Sequence, residues 1–326
     1  MFLVMASILP PRSGRRLNAA ALSEPRPVSW QVRVLTLLSR WIGRPMLSRT
    51  ATPAQAARDF ERGAALFFRP VPHHLRLEQG QGPVLHWIRV GPVTPRRVIL
   101  YFHGGAYLAG SPRTHLALLT RLSQLTGVEV CAPAYRLLQS ARFPAAVEDA
   151  LTAWDRLLAL GYRPADVVLA GDSAGGGLVF ALLSHLTLTG QTPAAAVALS
   201  PWVDLTLSGE SLADPAESFL PVEKMAEVVQ LYLGGADPSD PRASPLFARF
   251  VAPPPVLIHY GSTEALRDDA LRMAACLTAA GGAVTVQPWP AAPHAWHMLD
   301  GWVPEARAAL RHVADFVQTS FAMASR

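Results

Sequence analysis

The sequence predicts an α/β fold, a mostly parallel sheet covered on both faces by helices. Three observations carry that prediction. Eight short strand-like runs recur between residues 73 and 289. From the third onward they are mostly apolar on both faces, as strands buried between layers should read. Helix-like stretches alternate with them, which a sheet with helical crossovers requires.

The elements follow in order. Residues 1–28 are rich in Pro, Arg, Ser and Ala and predict a flexible tail. The opening MFLVMASIL is apolar, but it lacks a basic n-region and is short for a signal peptide. In 29–43, Trp30, Val32, Val34, Leu35, Leu37, Leu38, Trp41 and Ile42 outline an amphipathic helix with a broad apolar face. A second helix, 52–68, carries Pro53 at a favourable first-turn position. Helices ahead of the first strand either roof a site or lie on a membrane. The runs 73–79 and 83–90, joined by Gly80-Gln81-Gly82, predict a hairpin and an antiparallel start to the sheet. The remaining strands are 97–102, 128–133, 166–171, 195–200, 255–261 and 283–289. Helices are expected at 113–126, 144–160, 174–189, 222–233, 267–281 and 304–320. The interval 201–254 is too long for a plain crossover, and its GESLADPAESFLPVEKM reads as an inserted excursion.

Composition removes several function classes. Half of the 326 residues are hydrophobic and 16% are charged, which suits one large domain with a sizeable core. The net charge of +5 is scattered and nearly all from arginine, Lys224 being the only lysine. Nucleic-acid binding would want a basic stripe with aromatic partners, and none is present. Cys131 and Cys276 make no disulfide framework and read as small buried apolar residues. No C-x-x-C or H-E-x-x-H pair suggests a metal site, so no metal is expected. No stretch is apolar and long enough to span a bilayer, and cytoplasmic location is the default expectation.

In an open α/β sheet the chemistry lies beyond the carboxyl ends of the strands. The fifth strand ends in Gly171-Asp172-Ser173-Ala174-Gly175, and a helix starts at once. A sharp strand-to-helix turn exposes the hydroxyl at its apex and demands small neighbours. A glycine-rich turn with a serine N-cap would read the same way. The third strand ends in His103-Gly104-Gly105-Ala106, whose free N–H groups, with that of Ala174, are suited to converge on one oxygen. A serine nucleophile needs a base and the base an orienting acid. After the eighth strand come His294 and His297; after the seventh come Glu264, Asp268 and Asp269. Tyr107, Trp202 and Trp296, near strand ends, are candidates for a substrate pocket.

Seven motifs stand together: HGGAY (103–107), YRL to FPAAVEDA (135–150), GDSAGG (171–176), SPWVDLT (200–206), DPRASPLF (240–247), VLIHYGSTEALRDD (256–269) and PHAWHM (293–298). On them, residues 70–320 resemble the hormone-sensitive-lipase-like family, in its GDSAG branch of bacterial esterases. The resemblance implies an α/β-hydrolase fold with an eight-stranded sheet and a helical cap. The cap would comprise helices in 29–70 and an insertion at about 203–245, the rest of 71–326 being the catalytic domain. It also implies a serine carboxylesterase acting on short- to medium-chain esters, with no cofactor. By the same resemblance Ser173 matches the nucleophile, His294 the base and Glu264 the acid. Many members have Asp there, which leaves Asp268 as the alternative. Gly105, Ala106 and Ala174 match the oxyanion donors, Ala106 standing where a third glycine is usual. The partner is a small-molecule ester, and a homodimer is expected by analogy. Three other readings stay open. One is a lactone or acetyl-ester hydrolase; another is a lipid hydrolase resting on a membrane through residues 29–43. The third is a non-catalytic ligand-binding module, which the presence of His294 disfavours.

Overall fold

Alternation along β3 (Val98–Phe102) divides the core in two. Val98, Leu100 and Phe102 join one apolar cluster, while Ile99 and Tyr101 join another on the opposite face. A period of two with both phases apolar is the signature of a strand covered on both sides. The computed structural model describes residues 28–49 and 52–324. The expected flexible tail lies outside the described residues except for Val28.

Eight strands form one sheet. Besides β3 they are β1 (His74–Glu78), β2 (Leu85–Arg89), β4 (Glu129–Pro133), β5 (Val167–Asp172), β6 (Ala195–Leu199), β7 (Val256–Gly261) and β8 (Val284–Trp289). Their order across the sheet is β1-β2-β4-β3-β5-β6-β7-β8. β1 pairs antiparallel with β2 and β2 with β4, and every other pair is parallel. The predicted hairpin and mixed sheet are therefore present. Register aligns the carboxyl ends: Phe102 lies opposite Gly171, Asp172 opposite Leu199, Leu199 opposite His259, and Gly261 opposite Trp289. Whatever follows β3, β5, β6, β7 and β8 is delivered to one rim.

Helices cover both faces: α4 (Leu116–Thr126), α5 (Ala145–Ala159), α6 (Ala174–Leu188), α8 (Arg267–Ala279) and α9 (Pro304–Ala324). α6 is buried almost all round, from Ala174 to Leu183 without interruption. Each such large apolar side chain contributes roughly 1.5–3 kcal/mol by leaving water. The N-terminal segment departs from the single helix expected at 29–43. α1 (Trp30–Leu38) runs through a π turn at 39–43 into α2 (Arg44–Ser48), and α3 (Pro53–Phe67) follows. Ser29 and Thr52 cap α1 and α3 with their hydroxyls. The insertion after β6 is largely irregular, with one α-helix, α7 (Val222–Leu233), and short 3₁₀ turns at Glu210–Ala213 and Pro245–Phe247. Among the described residues no helix is long and apolar enough to cross a membrane.

Candidate active site

Ser173 stands at the apex of the turn from β5 to α6, with φ 52° and ψ −123°. Such a conformation costs a non-glycine residue about 1–3 kcal/mol and persists only when the surroundings over-determine it. Three hydrogen bonds do so. The Ser173 amide donates to the Leu199 carbonyl (2.9 Å), and the Ser173 carbonyl accepts from the amides of Trp202 (3.0 Å) and Gly177 (3.1 Å). The small neighbours are needed as well: a Cβ on Gly175 would lie 2.1 Å from the Phe102 carbonyl oxygen. The serine is thus held by the end of β6 and the first turn of α6, and a plain N-cap does not account for the turn. Its hydroxyl caps no helix amide.

The loop after β3 runs beside this turn. Gly105, Ala106 and Tyr107 all have positive φ, at 119°, 54° and 61°. The Gly105 carbonyl accepts from Leu108 (3.0 Å) and Ala109 (2.8 Å), which closes the loop into a tight turn. A Cβ on Gly105 would meet the Ala109 carbonyl oxygen at 2.1 Å, so glycine is obligatory there. Among the described residues the Gly105 and Ala106 amides donate to no protein acceptor. Ala174 is the first residue of α6, where an N–H has no intrahelical partner. Donors left free beside a strained serine suit a developing oxyanion. Asp172 holds the loop from beneath: its Oδ1 accepts from the Gly104 amide (3.1 Å) and the Tyr101 hydroxyl (2.7 Å), and Oδ2 lies 3.4 Å from His115 Nε2. Burial works against its charge, but the His115 and Tyr101 contacts hold its carboxyl below the usual range.

His294 is 7% exposed, and its Nδ1 lies 3.2 Å from Glu264 Oε2. The other carboxylate oxygen accepts from the Gly261 amide and from Ser200 Oγ, each at 2.6 Å. Both acceptor oxygens of Glu264 are therefore engaged, and the acid is fixed in place. Burial pulls the His294 pKa down, yet the hydrogen bond and charge of Glu264, with Glu217 and Asp172 further off, raise it above its ordinary value. Among the described residues no hydrogen bond joins the Ser173 hydroxyl to His294.

The rival residues serve elsewhere. Asp268 accepts from the Ser211 amide (2.8 Å) and anchors the insertion. Asp269 accepts from the amides of Val203 (2.8 Å) and Asp204 (3.0 Å). His297 is buried against Trp296, its Nε2 3.1 Å from His259 Nδ1, and burial and that neighbour hold its pKa well below normal.

A pocket of about 90 Å³ opens at Ser173. Ala106, Trp202 and Leu266 wall it from the rim; Leu220, Pro221, Lys224, Met225 and Val228 wall it from the insertion. Trp202 is where the sequence suggested. Tyr107 sits behind the wall, stacked on Tyr232 at 4.1 Å. Trp296 does not line the pocket. The left-handed turn at Ala295 leads into a short 3₁₀ turn that packs its indole beside Trp289 in a separate core cluster.

Sequence reasoning missed three members of the site besides Asp172. Ser200 directly follows β6 at the same rim, so reading the residue after every strand would have found it. Glu217 lies in the insertion, 1% exposed, accepting from the amides of Leu220 (2.9 Å) and Ala265 (2.6 Å), and no motif marks it. Phe219, two residues on, stacks against the His294 ring at 6.4 Å.

Known proteins share this fold. The Abhydrolase_3 family, described as an alpha/beta hydrolase fold, matches residues 99–298. An acetyl-hydrolase of Streptomyces hygroscopicus is 41% identical over 227 residues, which is 69% of this chain and 76% of that protein. An esterase of Acinetobacter venetianus is 34% identical over 68% of this chain and 74% of its own length. Among solved structures, an esterase from the bacterial hormone-sensitive lipase family superposes with a TM-score of 0.84 at 34% identity, covering 91% of this chain and all of that one.

Proposed function

The chain belongs to the Abhydrolase_3 family of the alpha/beta hydrolase fold, in its hormone-sensitive-lipase-like branch, and from that premise we propose how it cleaves its substrates. It is a carboxylic ester hydrolase; the relatives at 41% and 34% identity are an acetyl-hydrolase and an esterase. The ester lies with its acyl group in the pocket beside Trp202 and its carbonyl oxygen toward the amides of Gly105, Ala106 and Ala174. Ser173 Oγ attacks the carbonyl carbon while His294 Nε2 takes the hydroxyl proton. The electron pair of the C=O bond moves onto oxygen, where the three N–H groups hold it. Glu264 keeps Nδ1 protonated and stabilises the imidazolium. As the tetrahedral intermediate collapses, the C–O bond to the alcohol breaks and the imidazolium protonates the leaving oxygen. Water repeats the sequence on the acyl-enzyme and releases the acid.

The contact between His294 and Glu264 carries this reading, because a module that only binds ligands has no need of a fixed acid behind an imidazole. The apolar wall and small volume of the pocket favour short acyl groups. Ser173→Ala tests the proposal. The folded variant should turn over p-nitrophenyl butyrate at no more than about 10⁻³ of the parent rate. Turnover at the parent rate would overturn the mechanism.

A further inference from the structure

We infer that the outward face of α1 and its π turn docks on an anionic phospholipid bilayer, and so brings the pocket to esters held in that bilayer. The second half of this statement rests on the ester-hydrolase reading; the docking itself does not.

Trp30, Leu37, Leu38, Trp41 and Ile42 are 70%, 57%, 50%, 74% and 61% exposed. Their spacing puts them on one face of the continuous helical segment. A folded chain seldom leaves so much contiguous apolar surface in water without a partner for it. The opposite face is already committed. Val32 is fully buried, Ser29 donates to Glu305 by both its amide (2.7 Å) and its hydroxyl (2.8 Å), and Thr36 Oγ1 donates to the Ala291 carbonyl (2.8 Å). The helix is anchored, so the exposed stripe is not an inward face awaiting closure.

Charge selects the partner. Residues 28–49 hold no acidic residue; of their four arginines Arg44 is paired with Glu223 at 3.0 Å and Arg40 donates to the Pro215 carbonyl, while Arg33 and Arg49 are exposed and form no ion pair among the described residues. Exposed tryptophans flanked by arginines suit the headgroup layer of an anionic leaflet. A second copy pairing through this face would set Arg33 and Arg49 against their own kind. Residues 1–27 carry Arg12, Arg15, Arg16 and Arg26 against Glu24, so they too share its sign.

Position links docking to chemistry. Ala291, held by Thr36, lies in the loop that delivers His294. At the other end a Cβ on Gly43 would touch the Phe219 ring at 3.7 Å, and that ring stacks on His294. A membrane beneath α1 therefore lies at the edge of the site, and the substrate class that follows is short-acyl esters that partition into the bilayer.

Co-sedimentation of the full chain with phosphatidylglycerol vesicles, and separately with phosphatidylcholine vesicles, tests the docking. Binding is expected to phosphatidylglycerol, weakened by salt, with much less to phosphatidylcholine. Leu37→Ser with Trp41→Ser should weaken partitioning by about tenfold or more, and Arg33→Gln with Arg49→Gln by several-fold on phosphatidylglycerol only. Both double variants should keep the parent rate on soluble p-nitrophenyl butyrate, which separates loss of docking from failure of the catalytic reading. Absence of vesicle binding, or binding that neither double variant weakens, would overturn the inference. So would a dimer, measured by sedimentation equilibrium, that Leu37→Ser with Trp41→Ser converts to monomer without changing vesicle binding.

Discussion

Ser200 donates its hydroxyl to Glu264 Oε1 at 2.6 Å, and the same oxygen of Ser200 accepts the Ala295 amide at 3.3 Å. One buried side chain thereby bridges the loop bearing the acid and the loop bearing His294. Ser200→Ala removes a hydrogen bond to a buried carboxylate and leaves an amide without its acceptor. The cost is about 1.5–3 kcal/mol of stability. We expect kcat for a soluble ester to fall roughly tenfold, with KM little changed, because the residue holds the acid without touching substrate. Steady-state kinetics and thermal unfolding check both.

The pH dependence follows from the Glu264 contact. His294 works as a base only when neutral, and its pKa is raised. The acid limb of kcat/KM should therefore lie above the range of an ordinary imidazole, with activity lost as pH falls through it. Glu264→Gln removes the charge that raises the pKa, so the limb should move to lower pH while kcat drops about 10³–10⁴-fold. Linkage has the opposite sense. A raised imidazole pKa adds stability that is complete below the unfolded value and is lost as pH rises through the folded value. Kinetic and unfolding profiles across neutral pH measure the two effects; an acid limb unmoved by Glu264→Gln would contradict the assignment of the acid.

Gly105 tests the amide donors. Its φ of 119° and the Ala109 carbonyl at 2.1 Å from a would-be Cβ leave no room for a side chain. Gly105→Ala should displace the loop, misalign its N–H groups, and lower kcat by about 10²-fold or more, the usual effect of losing one oxyanion donor. Far-ultraviolet circular dichroism should stay native, since β3 ends before the loop.

The insertion is tied down by Glu217. Its carboxylate is 1% exposed and spans from the Leu220 amide to the Ala265 amide beside the acid. Glu217→Ala leaves buried donors unsatisfied and should cost roughly 3 kcal/mol. Limited proteolysis should cut 203–245 sooner than in the parent, and kcat should fall because Phe219 no longer packs on His294.

How legible was all this in the chain itself? The sheet was, because β3 to β7 are largely apolar on both faces and the helices between them are regular, so local pattern and tertiary burial agree. Ser173 and His294 could be proposed from the sequence because each follows a strand end in a distinctive motif. Glu264 against Asp268 was not, since both follow β7 and only packing shows that Asp268 is taken up by Ser211. Trp296 was proposed from its nearness to a strand end, and tertiary packing, which that position does not encode, sets its indole beside Trp289 in a separate core cluster. The pocket wall from α7 and the Glu217 tie arise from contacts between distant segments, and no local periodicity encodes those.

The central claim is that Ser173 is the atom acylated and His294 activates it. Peptide-mapping mass spectrometry after reaction with a fluorophosphonate tests it most directly. One adduct is expected, on the peptide containing Ser173, absent in Ser173→Ala and slowed by orders of magnitude in His294→Ala. An adduct on another residue, or ester turnover that continues with Ser173 fully blocked, would contradict it.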